Sequence, residues 1–191
     1  LVKNVREMNN LWKELIRKYG NYIEKRWLTI FTKVSYFSRA FLIDKKQNNE
    51  EYVFISDSES VEIDEKDIKI LRLLAEDSRI SIVNLSTKLK ITPKTTINRI
   101  RHLEEKNIIL GYRTMFDLSK LNYQYFKLFF SLHHITPEKE SRFKEFIKKH
   151  PNIVYDNEVL GGGDIELDIQ VKSLEEFRNL LEDIKKNFSD I

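Results

Sequence analysis

The sequence has no cysteine and little glycine, proline or histidine: its 191 residues include five glycines, three prolines and four histidines. Without cysteine the chain forms neither disulfide bonds nor thiolate metal sites, and its scattered histidines lack the spacing of metal ligands. No apolar run reaches the roughly 18 residues of a membrane-spanning helix. No nucleophile elbow, phosphate-binding loop or paired acid motif is present, so we expect neither an enzyme nor a cofactor. The lack of cysteine fits a cytoplasmic protein.

One segment of the chain also lacks acidic residues. The 26 residues from Ser78 to Leu103 contain six basic residues and no acidic one, whereas the whole chain has 33 Lys and Arg against 30 Asp and Glu. A local charge of +6 within a chain of net charge +3 indicates one basic surface. The basic residues of the segment are Arg79, Lys88, Lys90, Lys94, Arg99 and Arg101.

Three short helices are predicted in and just before this basic segment, each with its own N-cap. Asp64 begins the first helix, with Asp67 at the fourth position of a capping box. Ser81 begins the second helix. Thr92 begins the third and is followed by Pro93 at the first helical position. Two helices joined by a tight turn form a helix-turn-helix, which places its second helix in the major groove of DNA.

The third helix should run to about residue 106 and have two faces. Ile97, Ile100 and Leu103 recur every three residues and are expected to pack inward. The outward face carries side chains that read base edges or bind phosphates, namely Lys94, Thr95, Asn98, Arg99, Arg101 and His102. The alternative is a basic helix that is simply solvated, although that leaves the absence of acidic residues unexplained.

Among these residues, Asn98 and Arg99 are the first candidates for base contacts. Lys94, Arg101 and Arg79 are the candidates for phosphate contacts. Ser81 and Thr92 begin helices, and the backbone N–H groups there can donate to phosphates. After the third helix, the segment 108–114, with a glycine in its middle, predicts a small β-hairpin or wing.

The last third of the chain alternates strands and helices. The pattern predicts the order β-α-β-β-α, which is one strand short of a split-βαβ sandwich. The elements are a strand at Tyr123–Leu132, a helix opened by Thr136 and Pro137, strands at Ile153–Leu160 and Ile165–Val171, and a helix over 173–188.

Three of the five glycines stand together in the turn between the last two strands, at Gly161, Gly162 and Gly163, followed by Asp164. A two-strand turn needs only one or two glycines. Extra glycines let a backbone approach a ligand or a neighbouring subunit closely. The turn is therefore either a flexible hairpin or a loop that contacts an effector or a subunit, and Asp164 either caps the turn or accepts from a ligand amine.

The chain also contains a candidate internal repeat. A shift of 169 positions aligns Leu1–Tyr22 with Gln170–Ile191, so that two amphipathic helices coincide. Amphipathic helices also match one another by chance, which leaves duplication as an interpretation. If it is real, the chain begins inside one sandwich, ends inside a second, and is a piece of a longer tandem protein. Whether the residues 22–42, rich in strand formers, complete its own second sandwich stays open.

Two segments together resemble the Lrp/AsnC family, the feast/famine transcription regulators. They read IDEKDIKILRLLAEDSRISIVNLSTKLKITPKTTINRIRHLEEKNIILGYRT and FKEFIKKHPNIVYDNEVLGGGDIELDIQVKS. The resemblance covers roughly residues 62–191. It departs from the family pattern at Lys90 and Asn122, where the family usually has glycine, and at Thr96, where it usually has an apolar residue.

The resemblance implies an α+β fold: a three-helix winged helix-turn-helix joined to a ferredoxin-like βαββαβ module called RAM. Combined with the repeat, it implies four segments: 1–43, the helix and strand that end a first RAM module; 44–61, a linker; 62–116, the DNA-binding domain; and 117–191, a second RAM module without its last strand. Family members bind double-stranded DNA and dimerise, or assemble further, through RAM sheets. Small effectors, usually amino acids, bind near the turn that resembles Gly161–Asp164.

Two rival functions remain at this point. A siroheme decarboxylase-like enzyme has the same two-module plan, but it shows a strand rich in tyrosine and arginine before the hairpin together with haem-pocket histidines. Here that strand, Val154–Glu158, is acidic and has no arginine. The other rival is a ligand-sensing or assembly module whose helix-turn-helix does not bind DNA.

Overall fold

The computed structural model describes residues 4–25, 27–43, 52–55, 60–133 and 136–188. Its helices are α1 Val5–Tyr19, α2 Glu65–Glu76, α3 Ile82–Leu89, α4 Pro93–Glu105, α5 Pro137–Lys149 and α6 Leu174–Asn187. Its strands are β1 Ile30–Tyr36, β2 Tyr52–Ile55, β3 Gln124–Phe130, β4 Ile153–Leu160 and β5 Ile165–Val171. Within the described ranges, no helix combines the length and the apolar character that crossing a membrane requires.

Helices α2, α3 and α4 begin where their capping residues predict. The Asp64 carboxylate accepts from the backbone N–H of Asp67, and the reciprocal bond completes the capping box. The Ser81 and Thr92 hydroxyls accept from N–H groups three residues later. The three helices enclose a core whose buried members are Ile70, Leu85, Leu89 and Leu103. The helix-turn-helix is confirmed.

The turn between α3 and α4 contains no glycine and is closed by Lys90. This residue has φ 55° and ψ 45°, and its N–H donates to the carbonyls of Ser86 and Thr87. The left-handed conformation costs a non-glycine residue about 1 kcal/mol. Asn122 adopts the same region at φ 58°. Both departures from the family pattern thus keep the backbone that glycine would have provided.

Of the two alternatives predicted for 108–114, a β-hairpin or a wing, the hairpin is wrong, because the structure has no strand there. Asn107 ends α4 at φ 54°. The N–H groups of Ile108 and Ile109 then donate to the Leu103 carbonyl, at 2.9 and 3.1 Å. Both isoleucines pack against the helical core. The end of α4 therefore takes up the backbone groups that a hairpin would have paired.

The described strands form one sheet in the order β2-β1-β4-β5-β3, with every neighbouring pair antiparallel. The predicted order β-α-β-β-α is confirmed by β3, α5, β4, β5 and α6. In a complete split-βαβ sandwich the last strand lies beside the first, which here is β3. Strand β1 instead pairs with β4, on the opposite side of the sheet. It therefore extends the sheet without taking the place of the last strand.

Helix α1 begins at the N-cap Asn4 and has no buried residue. Its apolar side chains include Val5, 65% exposed, and Leu11, 53% exposed. The partial RAM module predicted over 1–43 stays a prediction, because α1 packs into no core among the described residues. Most of the predicted linker 44–61 lies outside the described residues.

Strand β5 is buried on both faces of the sheet, since all seven of its residues are buried. The two faces differ in character. Ile165, Leu167, Ile169 and Val171 join the core beneath α5 and α6. The alternate side chains are polar and lie on the other face. There the Lys127 Nζ atom lies 3.0 Å from Glu166, and Arg39 Nε donates to Gln170 over 2.8 Å. These contacts satisfy polar groups that would otherwise be costly to bury.

Candidate nucleic-acid interface

Helix α4 buries Thr96 and Leu103, both 0% exposed. The prediction that Ile97 packs inward is wrong, since its side chain is 36% exposed. Thr96 occupies the inward position because its hydroxyl donates to the Thr92 carbonyl at 3.1 Å, which satisfies the buried group. Ile100 is half-buried, as predicted. The contact face of the helix is thus rotated relative to the predicted one.

The opposite face of α4 is polar and open to solvent. Its residues follow the spacing i, i+1, i+4, i+7 and i+8, which keeps them on one side of a helix. These exposed residues are Lys94, Thr95, Asn98, Arg101 and His102. Arg79, Ser81 and Thr92 are also exposed, in the loop before α3 and at the starts of α3 and α4. The structure therefore presents all but one of the predicted DNA-binding residues to solvent.

The exception is Arg99, whose guanidinium contacts α2. Its Nη1 atom lies 2.8 Å from an oxygen of Asp67 and 2.8 Å from an oxygen of Asp64. The hydrogen bond to Asp67 is the largest cause that raises the pKa of Arg99, and Asp64 adds to it against the effect of burial. The side chain of Arg99 is thus occupied, and the base contact predicted for it stays a prediction.

The two carboxylates at the start of α2 serve both the helix cap and Arg99. The pKa of Asp64 is lowered, chiefly by the backbone N–H of Asp67 and further by the Arg99 guanidinium. Asp67 is buried, with a side chain 11% exposed. The ion pair was missed from the sequence, where two acids in a capping box indicated only a helix start. The signal available was that a capping carboxylate uses one oxygen and leaves the other unpaired.

The glycine turn lies against other parts of the same chain. A Cβ atom on Gly161 would lie 2.6 Å from the Leu28 carbonyl oxygen, and one on Gly163 would lie 2.9 Å from the Phe130 carbonyl oxygen. Gly161 and Gly162 both have φ 87°. The Asp164 carboxylate accepts from the Leu132 N–H at 2.7 Å. Asp164 therefore links the turn to the end of β3, and the glycines admit neighbouring backbone.

An apolar cavity of about 330 Å³ opens beside this turn. It is lined by Trp27, Thr29, Phe129 and Gly162. The first two belong to the segment before β1, and Phe129 lies on β3. Sequence reasoning found the glycine but not its three neighbours, because they come from distant parts of the chain.

Comparison with known proteins agrees with this geometry. A family model described as winged helix-turn-helix DNA-binding matches residues 63–109. Transcriptional regulator AzlB of Bacillus subtilis is 34% identical over 122 residues, which are 63% of this chain and 78% of AzlB. The Bkd operon transcriptional regulator of Pseudomonas aeruginosa is also 34% identical over 122 residues, covering 63% of this chain and 79% of that protein. The chain belongs to the Lrp/AsnC family.

Solved structures of Lrp/AsnC proteins share its fold. Bacillus subtilis LrpC has a TM-score of 0.58 and 28% identity, covering 66% of this chain and 89% of LrpC. The AsnC family regulator of Agrobacterium tumefaciens has a TM-score of 0.56 and 25% identity, covering 65% of this chain and 82% of that one. This Lrp/AsnC protein is therefore an α+β transcription regulator with a DNA-binding helix-turn-helix.

Proposed function

We propose that this Lrp/AsnC regulator recognises specific double-stranded DNA by placing α4 in the major groove. The observation that carries the proposal is the exposed polar face of α4, which lies opposite the buried Thr96 and Leu103. No acidic side chain occurs between residues 78 and 103 to repel phosphate. The helix is thus anchored on one side and open to DNA on the other.

The exposed residues divide by their chemistry into two roles. Asn98 pairs with adenine and Arg101 with guanine, because each side chain can form two hydrogen bonds to a base edge. Lys94 and Arg79 bind phosphates, while Ser81 and the start of α3 offer backbone N–H groups. Thr92, Thr95 and His102 are the remaining exposed residues of this surface, and they lie at the N-cap of α4 or on α4 itself. For Arg99 the ion pair with Asp67 supports an anchoring role.

We further propose that the protein acts in the cytoplasm as a homodimer or higher oligomer assembled through the RAM sheet. Residues 62–116 would form the DNA-binding domain and 117–191 the RAM module. Residues 1–43 would form the end of another RAM module, and 44–61 would be the linker. The exposed aromatic side chains on β3 support such an interface, with Tyr125 54% and Phe129 63% exposed.

An amino acid or related small effector would bind beside Gly161–Asp164, in the cavity that Trp27 and Phe129 line. Its apolar walls favour an apolar side chain. Thermal unfolding with each of the twenty amino acids tests this directly. A stabilising amino acid should lose its effect in the Phe129→Ala variant and keep it in Tyr112→Ala, an exposed aromatic residue outside this cavity. Equal stabilisation of both variants would remove the cavity from consideration.

Selection of bound duplexes from random DNA, followed by gel-shift titration, tests the DNA-binding proposal. Asn98→Ala and Arg101→Ala should weaken binding to the selected site, whereas Arg142→Ala, an exposed arginine on α5, should not. Binding should weaken with salt at a log–log slope of about −0.9 per neutralised phosphate. A wild-type protein that enriches no duplex would refute the proposal and leave the assembly module as the surviving rival.

A further inference from the structure

The segment that connects α4 to the sheet is bound to the sheet through one arginine. Residues 111–117 form neither helix nor strand. Arg113, in the middle of that segment, donates a hydrogen bond to the Tyr155 hydroxyl on β4. Its guanidinium carbon also lies 5.1 Å from the centre of the Tyr36 ring and 5.6 Å from that of Tyr155. These distances are those of cation–π contacts.

The two rings that contact Arg113 belong to a tyrosine cluster, which consists of Tyr36 on β1, Tyr52 on β2 and Tyr155 on β4. The centres of the Tyr36 and Tyr155 rings are 5.1 Å apart, and Tyr52 stacks on Tyr36 at 6.3 Å. Arg39 fixes the cluster, since its Nη1 atom donates to the Tyr36 hydroxyl over 2.6 Å. Three strands thus present one preorganised surface to Arg113.

The connecting segment is held at a second point by Gly111. A Cβ atom on this glycine would lie 2.4 Å from the Tyr52 ring, so the ring rests directly on the backbone. On its other side the segment contacts α4, where the Tyr112 hydroxyl donates to Glu104 over 3.4 Å. The path from α4 to the sheet therefore runs through Glu104, Tyr112, Arg113 and Tyr155.

We propose that Arg113 is a positioning residue that sets the spacing between the two DNA half-sites the protein accepts. This rests on the proposed function, in which the sheet joins two copies and each copy places α4 in the groove. In such a dimer the separation and phase of the two α4 helices depend on how each helix-turn-helix is attached to its sheet. A free connecting segment would allow many separations, whereas one held by the tyrosine cluster allows few.

The test uses the full 191-residue chain. Wild-type protein selects its site from random duplexes, and the half-sites found are then rebuilt at separations that span one helical turn, about 10.5 base pairs. Affinity is measured for each separation and for a duplex with a single half-site. The variants are Arg113→Ala and Tyr155→Phe, which removes only the accepting hydroxyl. Arg178→Ala is the charge-matched control, exposed on α6 across the sheet.

Arg113→Ala should reduce the difference in affinity between the best and the worst separation by about tenfold, while its affinity for a single half-site stays that of the wild type. Tyr155→Phe should change the profile in the same direction by less, and Arg178→Ala should keep it. A helix-turn-helix that is merely destabilised would instead lose single-site affinity. If circular dichroism shows that Arg113→Ala is unfolded, Tyr155→Phe decides the comparison.

Two results would overturn the inference alone. One is a wild-type spacing profile in both Arg113→Ala and Tyr155→Phe. The other is an equal loss of affinity for the single half-site in both variants. Failure of the wild-type protein to select any duplex would overturn the proposed function together with the inference. Whether the wild-type protein selects a duplex therefore separates failure of the proposed function from failure of the inference alone.

Discussion

Arg99 on α4 and Asp67 on α2 form an ion pair with a nitrogen–oxygen distance of 2.8 Å, which joins two helices of the three-helix domain. The other oxygen of Asp67 accepts from the Asp64 N–H, so one carboxylate closes the cap of α2 and fastens α4 to it. A helix that enters a DNA groove must hold its direction while it is pulled by phosphates. In the proposed complex, the ion pair would hold α4 from outside its exposed polar face.

The first prediction concerns the stability that this ion pair provides. Arg99→Ala should lower the free energy of unfolding by about 1–3 kcal/mol, because it leaves the largely buried Asp67 carboxylate without its charged partner. Arg101→Ala, on the same helix but exposed, should change it by less than about 0.5 kcal/mol. Urea denaturation measures both. Equal stability of the two variants would show that the ion pair adds nothing.

The second prediction is that, for DNA binding, Arg101 matters more than Arg99, whereas for stability Arg99 matters more than Arg101. Arg101→Ala should weaken binding to the cognate site by about 1–3 kcal/mol and relax the base preference at one position. Arg99→Lys, which keeps a positive charge beside Asp67, should retain the base preference at every position. The measurement is competitive binding to a set of single-base variants of the selected site. A relaxed preference in Arg99→Lys would instead indicate that Arg99 reads a base in the complex.

Local chemistry made much of the fold predictable. Asp64, Ser81 and Thr92 begin helices because their side chains accept from N–H groups three residues later. These interactions are local in the sequence and can therefore be predicted from it. The inward face of α4 was predicted less well. Threonine counts as a polar residue in the sequence pattern, but the Thr96 hydroxyl donates to the Thr92 carbonyl, so this side chain can be buried. Thr96 therefore entered the core where Ile97 was expected.

The parts that could not be predicted depend on residues far apart in the sequence. Arg99 meets Asp67 only after α2 and α4 pack, and no periodicity indicates such a pair. The glycine turn meets Leu28 only because β1 pairs with β4, on the side of the sheet opposite β3. The sequence pattern identifies the glycine turn, but it does not predict which backbone segments pack against these glycines.

The third prediction tests the contact between the glycine turn and Leu28. Gly161→Ala should lower the free energy of unfolding by about 1–3 kcal/mol, because the new Cβ would lie 2.6 Å from a carbonyl oxygen at a φ of 87°. Gly20→Ala is the matched control: its Cβ would lie 3.5 Å from Ile16, an ordinary contact. It should stabilise by up to about 1 kcal/mol or be neutral. A tolerated Gly161→Ala would mean that the segment before β1 does not rest on the turn.

The fourth prediction concerns pH and Asp156, which is 2% exposed. Burial raises the pKa of Asp156 above its ordinary 3.8, and the neighbouring Lys144, with its Nζ atom 2.9 Å away, opposes this only in part. The folded protein therefore holds this proton more tightly than the unfolded chain does. The resulting stabilisation is complete below pH 3.8 and is lost as the pH rises through the folded pKa. Asp156→Asn abolishes that loss.

Urea denaturation across a pH series should therefore show the unfolding free energy of Asp156→Asn, relative to the wild type, increasing as the pH rises from 3.8. Asp117→Asn supplies a control of opposite sign. The Ser119 hydroxyl, 2.5 Å away, lowers the pKa of Asp117, so the wild type gains stability as this carboxyl ionises and loses it as the pH falls. The relative stability of Asp117→Asn should accordingly decrease with rising pH. Parallel curves for the two variants would contradict the assignment of burial as the dominant influence on Asp156.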